Sequence, residues 1–320
     1  MKKNKIKDTG LEVTELSFGT SSLGSMPDTY GYEVPEERAQ KTLNRFFQGP
    51  VNMLDTSRNY AMGESEKRIG KAIKENGGWP NAFLLSTKLD RNMDTLVLDK
   101  NRVRESLEES LKTLNVDSVD ILFLHDPEYA KDITDITKKD GAMDELFKIK
   151  NEGLAKAAGV AMGKVDIMFP LLKDWDFDVI INHNRYTLLN REANEMYDYA
   201  SSKNIAIFNA APYAGGVLAK GPSNFKKITY QDASEEKLAP AREIEKVCKK
   251  YNVEMGAAAL QFSMKDKRIT STICGVTSIQ SIEKNLAWAN TNIPEEFWNE
   301  VLKLPYSTKD PESERNFTPG

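Results

Sequence analysis

Phe83–Lys88 (FLLSTK), Arg102–Leu114 (RVRESLEESLKTL) and Val119–His125 (VDILFLH) follow one another in the chain, and this stretch decides the fold. The two outer runs are short and apolar without strict alternation, as strands covered on both faces are. The segment between them repeats leucine at Leu107, Leu111 and Leu114, the spacing of one buried helical face. Strand, helix and strand in that order make a parallel unit. The same rhythm extends both ways. Upstream lie Leu16–Gly19 (LSFG) and Val51–Asp55 (VNMLD); downstream lie Ala155–Val160, Asp178–His183, Ile205–Ala210 and Thr270–Val276. Helical patterns separate them. Pro35-Glu36-Glu37 and Ser65-Glu66 open two, and others cover Met143–Asn151, Val165–Asp174, Arg191–Ser202, Ala241–Tyr251, Gly256–Met264 and Ile279–Ala289. Eight strands, each followed by a helix, predict an α/β fold, a (β/α)8 barrel of parallel strands. A glycine-rich loop and additional helix precede the last strand, an insertion between strands seven and eight. The rival is an open doubly wound sheet. Its usual Gly-x-Gly-x-x-Gly turn is not matched by Gly19-Thr20-Ser21-Ser22-Leu23-Gly24. No composition shift divides the chain, so residues 1–320 are expected to form one domain.

The 320 residues are 40% hydrophobic and 29% charged, a globular balance. A net charge of −4 offers no basic field for nucleic acid or an anionic membrane. Two cysteines, Cys248 and Cys274, make no disulfide framework. No apolar core follows the basic start MKKNKIKDTG, and no apolar run reaches membrane-spanning length. The expectation is a cytoplasmic protein, a monomer or small homo-oligomer, without nucleic-acid or membrane partners.

Barrel active sites sit at the C-terminal strand ends. Those ends carry Asp55, Lys88, His125 and His183, and the last two are the only histidines. Singly, each has an ordinary alternative: a helix cap, a solvated lysine, a structural histidine. Together they suggest proton transfer. A carboxylate can keep a partly buried lysine charged, and the lysine can favour phenolate in a nearby tyrosine. Tyr60, in DTSRNY, is the candidate, with histidine orienting the reacting oxygen. A metal site from His125, Asp126 and His183, a glycosidase pair from Glu64/Glu66 or Asp126/Glu128, and a Cys274 nucleophile are weaker alternatives. No metal is expected.

At these residues the sequence resembles the aldo-keto reductase family. Asp55-Thr56-Ser57 with Tyr60, Gly63-Glu64-Ser65-Glu66 and Ile69-Gly70 are similar to its first motif. Ser86-Thr87-Lys88 and Val119-Asp120-Ile121-Leu122 leading to His125 are similar to the strands carrying its lysine and histidine. The resemblance runs on through Gly153–Val160 to Gly275–Asn285. It implies a (β/α)8 barrel, an NAD(P) cofactor across the strand ends and a catalytic tetrad of Asp55, Tyr60, Lys88 and His125. His125-Asp126-Pro127-Glu128, Arg185–Leu189, Ala210-Ala211-Pro212 and Gly215–Leu218 resemble the D-threo-aldose (L-fucose) and L-galactose dehydrogenase branch. That branch implies oxidation of a sugar's hemiacetal carbon to a lactone, with Tyr60 exchanging the proton. General carbonyl reduction with NADPH is the alternative, and a cofactor-holding regulatory protein resembling the potassium-channel beta subunits is another.

The resemblance further places the cofactor against Gly19, Thr20, Asp55, His183, Pro212, Tyr213, Gly215, Gly216, Gly275, Thr277, Ser278, Ser281, Lys284 and Asn285. Some positions depart from the pattern. Ala161-Met162 stands where Ser-Asn is common, His183 replaces a glutamine, and Ala210 replaces a stacking tyrosine. Ser281 stands where an arginine is common, and Lys284 alone is a poor clamp for a 2′-phosphate, which leans the expectation to NAD. The substrate, a sugar or other carbonyl compound, is expected against Tyr60, His125, Asp126, Tyr129 and Arg185. Tyr30 and Tyr32 could also line its site, and the tail Lys309–Gly320 could fold over it.

Overall fold

A computed structural model describes residues 1–315 of the chain. Eight parallel strands close into a barrel: β1 (Leu16–Gly19), β2 (Met53–Asp55), β3 (Leu84–Leu89), β4 (Val119–His125), β5 (Ala155–Met162), β6 (Val179–His183), β7 (Ala206–Ala210) and β8 (Ile269–Gly275). They are neighbours in chain order, and β8 closes on β1 through Cys274↔Phe18 and Gly275↔Gly19.

The unbroken apolar runs follow from burial on two sides. Along β4, Ile121 and Phe123 join the barrel interior with Met53, Val179, Phe208 and Ile273. Leu122 and Leu124 turn outward into the layer shared with the helices. A period of two on a doubly covered strand leaves no polar face. Ile6, Leu11 and Val13 complete the interior cluster. They come from an antiparallel hairpin of Lys3–Lys5 with Glu12–Thr14, absent from the sequence reading because its strands are three residues long and polar. Asn52 ties it to the barrel, its Nδ2 donating to the Glu12 carbonyl at 2.9 Å.

The surrounding helices are α1 (Glu36–Phe46), α2 (Glu64–Glu75), α3 (Lys100–Leu114), α4 (Ala142–Asn151), α5 (Val165–Asp174), α6 (Asn194–Ser202), α7 (Glu235–Lys250), α8 (Met255–Met264), α9 (Ile279–Asn290) and α10 (Glu295–Val301). Helices α7 and α8 both precede β8, as the insertion predicts. Two boundaries move. Helix α7 begins at Glu235, before Pro240, because Ser234 caps it through the Lys237 amide. One proline costs one intrahelical bond, and the cap and buried face outweigh it. Helix α6 begins at Asn194 rather than Arg191, because residues 189–191 are bonded to the C-terminal segment instead. Among the described residues no helix is long and apolar enough to cross a membrane.

One buried acid does not belong to the strand-end cluster. Glu66 on α2 is wholly buried and accepts from Thr87 Oγ1 at 2.5 Å, while its Oε2 has no partner. Burial pushes its carboxyl up to about 7, above an unfolded value near 4.3. The folded state therefore binds the proton more readily, and this group adds stability as pH falls from about 7 to about 4.5. Glu66→Gln is expected to unfold at higher urea than the parent at pH 8, by about 2–3 kcal/mol. The difference should shrink as pH falls below about 7 and close near pH 4. A variant weaker than the parent at pH 8 would contradict this.

Candidate active site

Four of the eight strands deliver the candidate groups to one end of the barrel. Asp55 ends β2 and pairs in register with Ser86 of β3. Two residues further, on the same face of β3, stands Lys88. Its Nζ lies 2.7 Å from Asp55 Oδ2 and 2.6 Å from the Thr56 carbonyl, and the residue is 1% exposed. Ser86 Oγ donates to the other oxygen, Asp55 Oδ1, at 2.8 Å. Tyr60 follows β2 on a turn in which Ala61 and Met62 have positive φ, 51° and 55°. Lys88 Nζ sits 4.6 Å from the Tyr60 ring centre, and the Tyr60 and His125 rings meet edge to face at 5.7 Å. His125 ends β4, so the four tetrad side chains do converge.

The electrostatics correct one expectation. Lys88 was expected to draw Tyr60 toward phenolate. Instead the phenol is pushed well above its ordinary value, first by burial and then by the negative charges of Asp55, Asp126 and Asp90. Asp55 offsets the lysine's charge at short range, so desolvation decides the sign. Tyr60 is a neutral hydroxyl at rest. His125 is raised as well, but for a different reason: burial lowers its basicity, and Asp126 and Asp90 outweigh burial and raise it.

These groups open on a cavity of about 520 Å³. Its wall includes Gly19, Asp55, Tyr60, Lys88, His125, Asp126, His183, Tyr213, Gly215, Gly216, Gly275, Thr277, Ser281, Lys284 and Asn285, all expected from sequence, together with Tyr30 and Tyr32. Five expected residues are not on the wall. Thr20 is buried beneath it, its Oγ1 donating to the Asp55 carbonyl at 2.9 Å. Pro212 is buried. Ser278 caps α9 in a reciprocal capping box with Ser281. Tyr129 lies over Arg91 and Lys164, which approach its ring centre at 5.6 and 5.8 Å.

Arg185 is the largest correction. It is fully buried, and its guanidinium pairs with Asp310 at 2.5 Å and Glu312 at 3.1 Å. A surface-loop charge in sequence is thus a structural clasp for the tail. Asn184 Nδ2 also donates to Glu312 at 2.8 Å, and Thr229 Oγ1 to the Pro311 carbonyl at 3.1 Å. The described tail packs beside the site and Arg315 reaches the cavity wall; residues 316–320 of that expectation lie outside the described residues.

The cavity suits a dinucleotide in two respects. Glycines form part of its wall, and a Cβ added at Gly275 would meet nothing nearer than Ser22 Oγ at 4.0 Å, so backbone there faces open space. At Gly215, with φ 74°, a Cβ would meet the Tyr230 amide at 2.8 Å, so only glycine lets residues 229–230 close the wall. Tyr213 and Trp288 supply apolar surface, and Lys284 the charge near α9. Two polar groups are already engaged: Ser281 Oγ accepts from the Thr277 and Ser278 amides, and Asn285 Oδ1 from the Tyr213 hydroxyl.

Sequence reading missed Asp90, Asn59, Met93, Tyr230 and Trp288, all on the wall. Only Asp90 carried a signal. It lies two residues beyond Lys88, hence on the same face of the strand's extension.

Comparison with known proteins agrees with this architecture. The sequence profile of the Aldo/keto reductase family matches residues 15–304. L-galactose dehydrogenase of Arabidopsis thaliana is 31% identical over 284 residues, covering 88% of this chain and 85% of that protein. D-threo-aldose 1-dehydrogenase of a Pseudomonas species is 26% identical over 320 residues, covering 92% and 94%. Among solved structures, an aldo-keto reductase of Bacillus halodurans in its holo form superposes with a TM-score of 0.79 at 21% identity, covering 99% of this chain and all of that one. The match across nearly the whole barrel, with Asp55, Tyr60, Lys88 and His125 gathered at its C-terminal end, makes this chain a member of the aldo/keto reductase family, an oxidoreductase that works with a nicotinamide dinucleotide.

Proposed function

We propose that the chain oxidises the hemiacetal carbon of an aldose to a lactone, with NAD preferred over NADP. The observation that carries the sugar reading is Asp126. Its Oδ2 lies 3.7 Å from His125 Nε2, and its buried Oδ1 has no hydrogen-bond partner. A carboxylate only accepts, and Asp126 lines the cavity beside His125, so the wall there suits a ligand that donates a hydroxyl. Simple aldehydes and carboxylates have no such donor. Asn59, Tyr30 and Tyr32 on the same wall add partners for a polyhydroxylated ligand. Sequence likeness to the galactose and threo-aldose dehydrogenases supports the same substrate class.

A bound nicotinamide supplies the hydride acceptor. This chain's residues do the rest. Tyr60 and His125 meet the reacting oxygen, and Asp55 holds Lys88 beneath Tyr60. The lean to NAD comes from the cationic groups near α9. Lys284 stands 4.6 Å from the Trp288 ring centre and 3.9 Å from Glu254, and three residues before it the chain carries Ser281 rather than an arginine able to grip a 2′-phosphate bidentately.

The test is absorbance at the reduced-nicotinamide band, with NAD or NADP and a panel including L-fucose, L-galactose and D-arabinose. Signal is expected to grow with at least one aldose, and at lower cofactor concentration with NAD. Silence with every sugar, combined with NADPH consumption by simple aldehydes, would replace this reading with carbonyl reduction.

A further inference from the structure

The opposite end of the barrel carries a second cavity, of about 250 Å³. It lies at the strand starts. Glu15 immediately precedes β1, and Thr270 is the second residue of β8. Lys2, Asn4 and Lys5 reach it from the N-terminal hairpin, and Lys265, Asp266 and Lys267 from the turn between α8 and β8.

The frame of this cavity is fixed by hydrogen bonds. Asn4 Nδ2 donates to the Thr270 carbonyl at 2.8 Å, tying the hairpin to β8. The Glu15 amide donates to the Lys2 carbonyl at 3.1 Å, and the Glu15 carbonyl accepts from the Thr272 amide at 2.9 Å. Lys265 Nζ rests 5.2 Å from the Trp298 ring centre, which holds it at the rim.

The charges around it do not balance. Among the described residues, Lys2, Lys5, Lys265 and Lys267 form no ion pair. Asp266 is already committed, pairing with Arg268 at 2.6 Å and accepting from the Tyr186 hydroxyl. Arg268 in turn is shared with Asp198 at 2.6 Å. Four ammonium groups therefore face the single carboxylate of Glu15, a local surplus of three positive charges on a chain whose net charge is −4. Like charges repel, and a recess lined by one sign concentrates ions of the other.

We infer that this cavity binds a compact polyanion of the di- or triphosphate class. Lysine ammoniums are point charges on flexible stems and suit phosphoryl oxygens. The planar fork that grips carboxylates is missing, because Arg268 is engaged elsewhere. Size points the same way. A recess of about 250 Å³ takes a short phosphate chain, whereas the face of a folded partner needs a far broader surface. Glu15 sets the charge requirement: it repels any anion, so a chain of several charges outcompetes a single phosphate. The bound chain joins the hairpin to the α8–β8 turn, although Lys5 and Lys265 are 260 positions apart. A ligand held only by the folded state stabilises it, so the effect falls on stability. The inference is independent of the sugar-oxidising reading, since the tetrad lies at the other end of the barrel.

Calorimetric titration of the full chain with inorganic tripolyphosphate, at low salt and without divalent metal, is the test. Saturable binding is expected, weakening about tenfold or more between about 20 and about 200 mM salt. Lys265→Gln/Lys267→Gln should weaken it at least about tenfold; both side chains are exposed, so the fold is kept. Glu15→Gln should tighten it about threefold by removing the repelling charge. Lys284→Gln, at the dinucleotide cavity, should leave it intact. Tripolyphosphate should also raise the thermal midpoint of the parent and leave that of the lysine-pair variant unmoved. Cytidine triphosphate separates two sources of the same chemistry. Equal affinity assigns the phosphate chain alone, and tighter binding assigns a nucleoside triphosphate. Absence of saturable binding at low salt overturns the inference. So does binding that survives in Lys265→Gln/Lys267→Gln, or that Lys284→Gln removes. Binding of polyglutamate without binding of tripolyphosphate overturns it too, in favour of an acidic protein segment.

Discussion

Tyr60→Phe is expected to lower kcat about 10³-fold, with dinucleotide affinity nearly unchanged. The substitution removes only the hydroxyl. The ring keeps its place over Lys88 and against His125, so the cavity wall is preserved. What is lost is a donor aimed at the reacting oxygen in a site where burial excludes competing water. Steady-state kinetics separates the two effects, and fluorescence titration with the reduced dinucleotide reads binding independently. A variant that keeps more than a few per cent of parental kcat would remove Tyr60 from the chemistry.

Asp55→Ala is expected to cost about 3–5 kcal/mol of stability, because it leaves the Lys88 ammonium buried without a counter-charge. The Thr56 carbonyl at 2.6 Å remains and cannot neutralise it. Lys88→Met should cost a similar amount for the mirrored reason, leaving Asp55 with Ser86 Oγ alone. The Asp55→Ala/Lys88→Met pair should recover most of the loss while staying inactive, since both charges go together. Urea midpoints of the four proteins make the cycle. Additive losses in the double variant would mean that the pair is not coupled, contrary to its 2.7 Å contact at 2% and 5% side-chain exposure.

Both results bear on what could be read from the chain alone. Asp55, Lys88 and His125 were visible because each ends an apolar run, and a barrel gathers strand ends. Tyr60 was visible through its spacing from Asp55 and the family motif around it. Its ionisation was not. Proximity to a lysine suggested phenolate, but the sign depends on how far burial and Asp55 offset that lysine, and neither is a sequence property. Arg185 shows the same limit. Glu192 lies nearby in the chain at 3.9 Å, yet the acids that hold its guanidinium more closely stand 125 and 127 positions away, at Asp310 and Glu312. Asp90 lay in plain view two residues past Lys88, but its meaning comes from a histidine 35 positions on, whose Nδ1 lies 2.5 Å from its carboxylate.

The chain by itself determined the number and order of the barrel strands and which four candidate side chains, Asp55, Tyr60, Lys88 and His125, come together at one end. Those depend on local periodicity and strand-end position, which are written in consecutive residues. Only the tertiary structure decided which charges neutralise one another, which polar groups lose their water, and which nitrogen of His125 faces the cavity. Those quantities depend on distances between residues far apart in sequence and on the burial that the closed barrel imposes.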